Sequence, residues 1–207
     1  MYFLMSSQNT WGQVDLWLKN FAVKTLADNQ EVYLSGGISV PAGAKVAFGA
    51  DALKADSAYP AATVRSVALA AGAELDVTTA VAGSRVKIET LAVSGSGAKV
   101  AATAVTEVGG EIAYSGDVPA APVELSGAIG LSAGTLTITV PDDWRRTSSG
   151  IVELLKLSST GGAALPPVED IRIVTDAGRE ITAKADVTVR DGVVSATLRP
   201  GMVIFVR

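Results

Sequence analysis

The sequence contains neither cysteine nor histidine, and it is poor in aromatic and charged residues. Without cysteine and histidine the chain can form no disulfide, no Cys/His zinc site, no thiol nucleophile and no imidazole base. Aromatic residues make up 5% of the chain and charged residues 18%, whereas hydrophobic residues make up 48%. The apolar content is therefore mostly Ala and Val, which suits narrow, closely stacked layers rather than a wide core of large rings.

The sequence also lacks basic runs and long apolar runs. The formal net charge is −4 and basic residues are interspersed with acidic ones, so a nucleic-acid partner is not expected. No stretch approaches the ~18 uninterrupted apolar residues of a transmembrane helix, and we predict that the chain does not span a membrane. The apolar residues 1–7 lack the basic n-region of a secretory signal peptide and are too short to form its hydrophobic segment. If the protein acts outside the cell, its targeting signal is expected to lie outside this chain or to have been removed.

One short pattern returns along residues 36–138, in which a glycine and usually a small residue precede alternating apolar positions. The copies are Gly43-Ala-Lys-Val-Ala-Phe, Gly72-Ala-Glu-Leu-Asp-Val, Gly83-Ser-Arg-Val-Lys-Ile, Gly97-Ala-Lys-Val-Ala-Ala, Gly134-Thr-Leu-Thr-Ile and the shortened Gly110-Glu-Ile-Ala-Tyr. The copies at Gly43, Gly72, Gly97 and Gly134 indicate a glycine-supported turn between two short strands. Their irregular spacing excludes solenoids with a fixed short period but allows an irregular β-solenoid with coils of roughly 20 to 30 residues.

This pattern divides the chain into three parts. Residues 1–30 are interpreted as an N-terminal cap or assembly segment, residues 31–140 as solenoid repeats, and residues 141–207 as a C-terminal β region that closes the stack. In the last part, Arg190-Asp-Gly-Val between two alternating runs predicts a hairpin. Such a cap is expected because an uncovered solenoid end offers unpaired strands to any neighbour.

The N-terminal segment holds two of the three tryptophans. Residues 13–26 fit the alternation of a strand better than the period of a helix, but both interpretations stay open. Trp11, Trp17 and Phe21 are predicted to cap the core or to form an assembly contact. A carbohydrate-stacking platform is the alternative for the two tryptophans, because aromatic faces bind the apolar faces of sugars.

The repeated pattern beginning Ile38-Ser-Val-Pro-Ala-Gly-Ala-Lys-Val-Ala-Phe resembles the passenger repeats of autotransporter-like and other large bacterial cell-surface β-helix proteins. The closing region, from Val152-Glu-Leu-Leu-Lys-Leu to Met202-Val-Ile-Phe-Val-Arg, is similar to the ends of such proteins. This resemblance covers residues 31–207 and implies a structural role at the cell surface or outside the cell. The expected fold is all-β, an irregular right-handed parallel β-helix with a C-terminal antiparallel or mixed β cap. We expect a passenger fragment, a processed piece or an assembling subunit.

One polar loop is a candidate binding edge for a glycan or another partner. It consists of Asp142, Asp143, Trp144, Arg145 and Arg146. A solvated loop with one packed tryptophan is the alternative interpretation. Neighbouring residues of a strand point to opposite faces, so neither Asp142-Asp143 nor Glu169-Asp170 is expected to form the acid/base pair of a glycoside hydrolase. No catalytic residue, metal site or cofactor is predicted.

Three functions are compatible with these features. The first is a non-catalytic structural or adhesive protein, extracellular or at the cell surface, whose partner is another copy, end to end in a filament, or another surface protein. The second is a carbohydrate-binding or carbohydrate-cleaving β-helix. The third is a phage tail or baseplate component, which trimerisation would favour.

Overall fold

The structure is a computed structural model that describes residues 32–48, 61–77, 85–132, 134–144 and 150–198. These ranges form twelve strands and two short 3₁₀ helices. The strands are β1 (Val32–Val40), β2 (Lys45–Phe48), β3 (Ala61–Ala70), β4 (Glu74–Val77), β5 (Arg85–Ser94), β6 (Lys99–Ser115), β7 (Val123–Leu131), β8 (Leu136–Val140), β9 (Ile151–Ser159), β10 (Ile171–Thr175), β11 (Thr188–Arg190) and β12 (Val193–Thr197), and the 3₁₀ helices are Val168–Asp170 and Thr182–Lys184.

The strands form two parallel stacks that share the same coils. The first stack runs from β1 through β3, β5, the second part of β6 and β8 to β10. The second runs from β2 through β4, the first part of β6 and the start of β7 to β9. Because β6 pairs with β5 and β8 in the first stack and with β4 and β7 in the second, the stacks are successive sides of one winding chain. The predicted parallel β-solenoid is confirmed.

The coils differ in length, as the irregular glycine spacing predicted. Val32, Ala62, Val86, Thr106 and Ile129 occupy equivalent positions in successive strands. The interval along the chain is longest between the first two of these positions and shortest between the third and the fourth. The length varies because the strands must stay in register, whereas the connections between them are under no such constraint.

Columns of aliphatic side chains fill the space inside the coils. Ile38, Val67, Leu91, Ile112, Ile138 and Ile173 form one column in the first stack, and each is at most 2% exposed. Val46, Leu75, Val100, Leu125 and Leu157 form a buried column in the second. Each such side chain contributes about 1.5–3 kcal/mol on burial. The two columns belong to one hydrophobic core, which supplies the main stabilisation of the coils.

The corners between the two stacks are also joined from coil to coil. Gly43, Gly72 and Gly97 have φ angles of 67°, 65° and 72°, in the left-handed region that glycine adopts without strain. The amide of each donates to a carbonyl of the next coil: Gly43 to Ala71 at 2.9 Å, Gly72 to Ser96 at 2.9 Å and Gly97 to Ala121 at 3.5 Å. The backbone hydrogen-bond ladder therefore continues through the turns, which confirms the predicted role of these glycines.

The C-terminal part reverses strand direction and covers the end of both stacks. β12 lies antiparallel to β9, and β11 lies antiparallel to β12. Asp191 and Gly192 have φ angles of 49° and 76°, as a type I′ turn requires, so the predicted hairpin is confirmed. On the first stack, the amide of Ile181 donates to the carbonyl of Ile173 at 2.8 Å. The predicted mixed β cap is thus present.

The interpretation of residues 1–30 concerns a segment outside the described residues. Trp11, Trp17 and Phe21 belong to it, and so does the choice between strand and helix over residues 13–26. At the N-terminal end of the described coils, β1 pairs only with β3, and β2 pairs only with β4.

Candidate functional site

A column of alternating charges runs along the outer face of the second stack. Its members are Lys45, Glu74, Lys99, Glu124 and Lys156, which are direct register partners in successive strands. Each of the first three occupies the second position after a corner glycine, on the face opposite the buried column. We call this column the charge ladder. Opposite charges in direct register stabilise strand pairing, and like charges oppose it.

Ion pairs connect the ladder at both ends. The Nζ atom of Lys45 lies 2.9 Å from Oε1 of Glu74 and 2.9 Å from Oδ2 of Asp76. The Nζ atom of Lys156 lies 3.6 Å from Oε1 of Glu124. The hydrogen bond from Lys45 to Glu74, followed by the one to Asp76, raises the pKa of Lys45 above its usual value. Exposed pairs of this kind contribute roughly 0.2–1 kcal/mol each, so the ladder matters more for register than for total stability.

The outer positions beside the charge ladder carry mostly small side chains. Ala47, Asp76, Ala101, Ser126 and Ser158 form this neighbouring column. The hydroxyl of Ser158 donates to Oε1 of Glu124 at 3.4 Å, which joins the two columns. The second stack therefore presents a face of charged and small side chains on stacked parallel strands.

The predicted binding edge begins in a turn that packs beside the turn after β10. The guanidinium of Arg179 donates to and forms an ion pair with the carboxylate of Asp142. The amide of Asp142 donates to Oδ1 of Asp176 at 3.2 Å, and the amide of Asp176 donates to the carbonyl of Val140 at 3.0 Å. Asp142 thereby joins the end of β8 to the end of β10, and Asp143 is exposed beside it.

Trp144 occupies the core rather than the surface of this turn. Its side chain is 1% exposed, and its indole Nε1 donates to the carbonyl of Gly116 at 2.6 Å. Its ring packs on Tyr114 with centroids 5.4 Å apart and planes inclined at 55°, a tilted arrangement that aromatic pairs favour. The indole therefore presents no face on which a sugar could stack. Of the two interpretations of this loop, the structure supports the packed tryptophan.

Tyr114 joins three strands from inside the core. Its hydroxyl donates to the carbonyl of Leu154 in β9 and accepts the amide of Val123 at 3.3 Å. Burial of the phenol raises the pKa of Tyr114 above its usual value, although the hydrogen bond from Val123 opposes this shift. We call Tyr114 and Trp144 the aromatic pair. It connects the coils, through β6, to the strand on which the C-terminal hairpin pairs.

Among the remaining predicted residues, the structure describes only Glu169 and Asp170. Arg145 and Arg146 lie outside the described residues, as do Trp11, Trp17 and Phe21. Glu169 and Asp170 lie in an exposed 3₁₀ helix. Within the described ranges, no three Asp or Glu side chains lie close enough together to hold a metal ion.

Two features were missed by the sequence interpretation. The charge ladder has a sequence signal, because the charge two positions after the corner glycine alternates from Lys45 to Glu74 to Lys99. The aromatic pair has no comparable signal, since Tyr114 and Trp144 are far apart in the sequence and lie in unrelated local contexts. The first feature could have been predicted from the repeats, whereas the second needed the fold.

Comparisons with known proteins found no match, so the functional inference rests on the architecture. The chain matches no protein-family model, no curated protein and no solved structure. In the part of the chain that the structure describes, no helix has the length and apolar character to cross a membrane.

Proposed function

We propose that the protein is a non-catalytic structural or adhesive module, located at the cell surface or outside the cell. The observation that carries this proposal is the continuous hydrogen bonding along the solenoid axis, which passes through strands and corners alike. A parallel stack joined in this way behaves as a stiff spacer, because neighbouring coils cannot separate without breaking a whole row of backbone bonds.

The outer face supports an adhesive or spacing role. Its charge ladder alternates in sign, and the neighbouring column consists mostly of Ala and Ser. Alternating charges disfavour slipped pairing, and the small side chains allow another flat surface to approach closely. We propose that other surface proteins, further copies of the chain or glycans are the partners of this face.

Assembly into a filament is the less favoured form of the proposal. Growth by strand continuation requires two open ends, and β12 and the chain around Ile181 cover the C-terminal edges of β9 and β10. A contact through the N-terminal ends alone would give pairs of molecules rather than filaments. We therefore favour a capped module within or beside other surface proteins.

Surface labelling of intact cells that produce the protein tests the location. Antibodies raised against the purified chain should label these cells without permeabilisation, and external protease should remove the label. Signal that appears only after permeabilisation would contradict the proposal. Electron microscopy of the purified protein over a concentration series should show isolated short rods, whereas regular filaments would reinstate end-to-end assembly.

Activity assays separate this proposal from the carbohydrate alternative. A glycan array and a reducing-sugar assay should both stay blank, or the array alone should respond if the module is adhesive. Release of reducing ends that the Asp142→Asn variant abolishes would contradict a non-catalytic role. Trimers in light scattering would favour the phage tail alternative.

A further inference from the structure

The charge ladder is complementary to itself when it is reversed and moved by one coil. From β2 to β9 its members are Lys45, Glu74, Lys99, Glu124 and Lys156. A second copy that runs antiparallel to the first, related by a two-fold axis between Lys99 and Glu124, places each charge from β4 to β9 opposite one of the other sign. Without this offset, lysine would lie opposite lysine and glutamate opposite glutamate.

The spacing of the charges indicates which partner fits the ladder. Register neighbours in a stack of parallel strands lie about 4.8 Å apart, so a partner opposes every member only if its own charges repeat at that distance. A second copy has the same repeat and the same alternation. An acidic glycan or peptide carries charges of one sign, which Glu74 and Glu124 would repel. Charge and spacing therefore favour another copy of the chain.

The members of the ladder are accessible to such a partner. The side chains of Glu74, Glu124 and Lys156 are 29%, 36% and 47% exposed. Beyond Lys156 the column continues into Val193, its register partner in β12. The two-fold axis brings Val193 opposite Lys45 of the second copy, so the two faces overlap along the six strands β2, β4, β6, β7, β9 and β12.

The column of small side chains beside the ladder allows the two faces to approach each other. The same axis places Ala101 opposite Ser126 of the second copy and Asp76 opposite Ser158. A serine hydroxyl can donate a hydrogen bond to a carboxylate, so this second column adds a polar match. From β4 to β9, no like charges oppose each other in either column.

We propose that two copies of the chain associate side by side through their charge ladders, antiparallel and about a two-fold axis between Lys99 and Glu124. The contact contains two reciprocal ion pairs between Lys99 and Glu124 and two between Glu74 and Lys156. It gives the proposed adhesive role a partner, another copy of the chain, and it rests on that role. Because a two-fold contact is closed, it forms pairs of molecules and no filament.

The size of the face indicates a weak contact. Six strands about 4.8 Å apart, each with about four residues of about 3.3 Å, give a face of roughly 400 Å². Stable complexes bury about 800 Å² on each partner, and exposed ion pairs are screened by salt. Association is therefore expected at low ionic strength and at the high local concentration of molecules that are crowded on a surface.

Zero-length cross-linking tests the register of the contact. A carbodiimide joins a lysine to a carboxylate that touches it, whereas Glu74 and Lys156 of one molecule are three register steps apart, about 14 Å. In a concentrated low-salt mixture of isotope-labelled and unlabelled full-length protein, Glu74–Lys156 cross-links should join labelled to unlabelled chains. Cross-links between Lys45 and Glu74, an ion pair within one molecule, are the control and should join chains of one kind only.

Two charge reversals test the complementarity and include their own rescue. Lys99→Glu places acid opposite acid across the contact, and Glu124→Lys places base opposite base. Each variant alone should give at least about fivefold less Glu74–Lys156 cross-link than the wild type, and an equimolar mixture of the two should recover it. Recovery requires both variants to be folded, so it separates a lost contact from a lost fold. Glu153→Lys, outside the ladder, is the matched control and should behave as the wild type.

Three results would overturn the contact. They are the absence of Glu74–Lys156 cross-links between molecules, yields that the two reversals do not change, and no recovery in their mixture. Cross-links between Lys45 and Glu124 of different molecules, in place of the expected pair, would assign another register and would also overturn it. Surface labelling of intact cells tests the proposed function separately, because the location of the protein does not depend on whether the purified chains pair.

Discussion

The parallel coils and the C-terminal region satisfy their backbone hydrogen bonds in different ways. In the coils, each strand and each corner bonds to the equivalent element of the next coil, as Gly72 does to Ser96. In the C-terminal region the chain turns back on itself, so that β12 bonds to β9 and Ile181 bonds to Ile173. The coils repeat one pattern of backbone hydrogen bonds, and the C-terminal region ends this pattern.

Because of this difference, the two regions require different features in their sequences. The coils need repetition, because identical neighbours must stack at every level. The C-terminal region needs reversals, which it obtains from the turn at Asp191 and Gly192 and from the turn after β10, where the amide of Gly178 donates to the carbonyl of Thr175 at 2.7 Å. The aromatic pair lies near the place where the two regions meet, because Tyr114 bonds to Leu154 of β9, the last strand of the second stack, on which β12 pairs.

The largest expected effect comes from breaking the junction between the regions. Trp144→Ala should lower the free energy of unfolding by about 3–5 kcal/mol, because it removes a buried ring and its packing on Tyr114. Urea unfolding of the purified variant measures this. Trp144→Phe keeps a ring but loses the hydrogen bond to Gly116. Its free energy of unfolding should therefore lie between those of Trp144→Ala and the wild type. A loss below about 1 kcal/mol in Trp144→Ala would contradict the placement of this side chain.

The next effect concerns close approach between coils. A Cβ atom added at Gly127 would lie 2.1 Å from the carbonyl oxygen of Ala102, and Gly127 has a φ of 89°. Gly127→Ala should therefore cost roughly 2–4 kcal/mol, since the neighbouring backbone must move. Gly150→Ala is the matched control because open space surrounds that position and its φ is not positive. Equal thermal stability of the two variants would argue against the described coil spacing.

A smaller effect is expected from the charge ladder. Glu74→Lys places three like charges in one column and removes an ion pair of Lys45, so it should cost about 1 kcal/mol at low salt. Added salt should recover most of this loss by screening. Glu153→Lys, on an exposed position outside the ladder, serves as the control. A cost that does not change between low and high salt would show that the ladder acts through packing instead of charge.

The smallest expected effect concerns how the free energy of unfolding changes at alkaline pH. Burial raises the pKa of Tyr114, so the folded state holds this proton more tightly than the unfolded state does. The resulting stability is fully present below the unfolded pKa of about 10 and is lost as pH rises above it, by up to ~1.4 kcal/mol per pH unit. Lys45, whose pKa is also raised, adds a loss of the same sign.

Tyr114→Phe isolates the contribution of this tyrosine. Its free energy of unfolding should fall less steeply with pH above about 10 than that of the wild type, as urea titrations at several pH values would measure. Identical slopes for the two proteins would mean that the phenol of Tyr114 ionises as readily in the folded state as in the unfolded state.

The sequence predicted the coils better than it predicted the site. The glycines at 43, 72 and 97 sit at corners, and the alternating positions after them form strands, because local repetition directly reflects stacking. The hairpin at Asp191 was predictable because a type I′ turn selects its residues locally. The partners of Trp144 could not be predicted, because Gly116 and Tyr114 reach it only through the path of the coils. The resemblance to bacterial surface repeat proteins stays a prediction.

Amide hydrogen exchange, measured residue by residue by NMR, tests the central claim that hydrogen bonds run continuously along the coils and end under a closed C-terminal cover. The account predicts that the corner amides of Gly43 and Gly72 exchange as slowly as neighbouring strand amides, since they donate to Ala71 and Ser96 of adjacent coils. The amides of Leu157 and Ile181 should be equally protected beneath the cover. Corner or cover amides that exchange at the rate of an unfolded peptide, while strand amides stay protected, would contradict it.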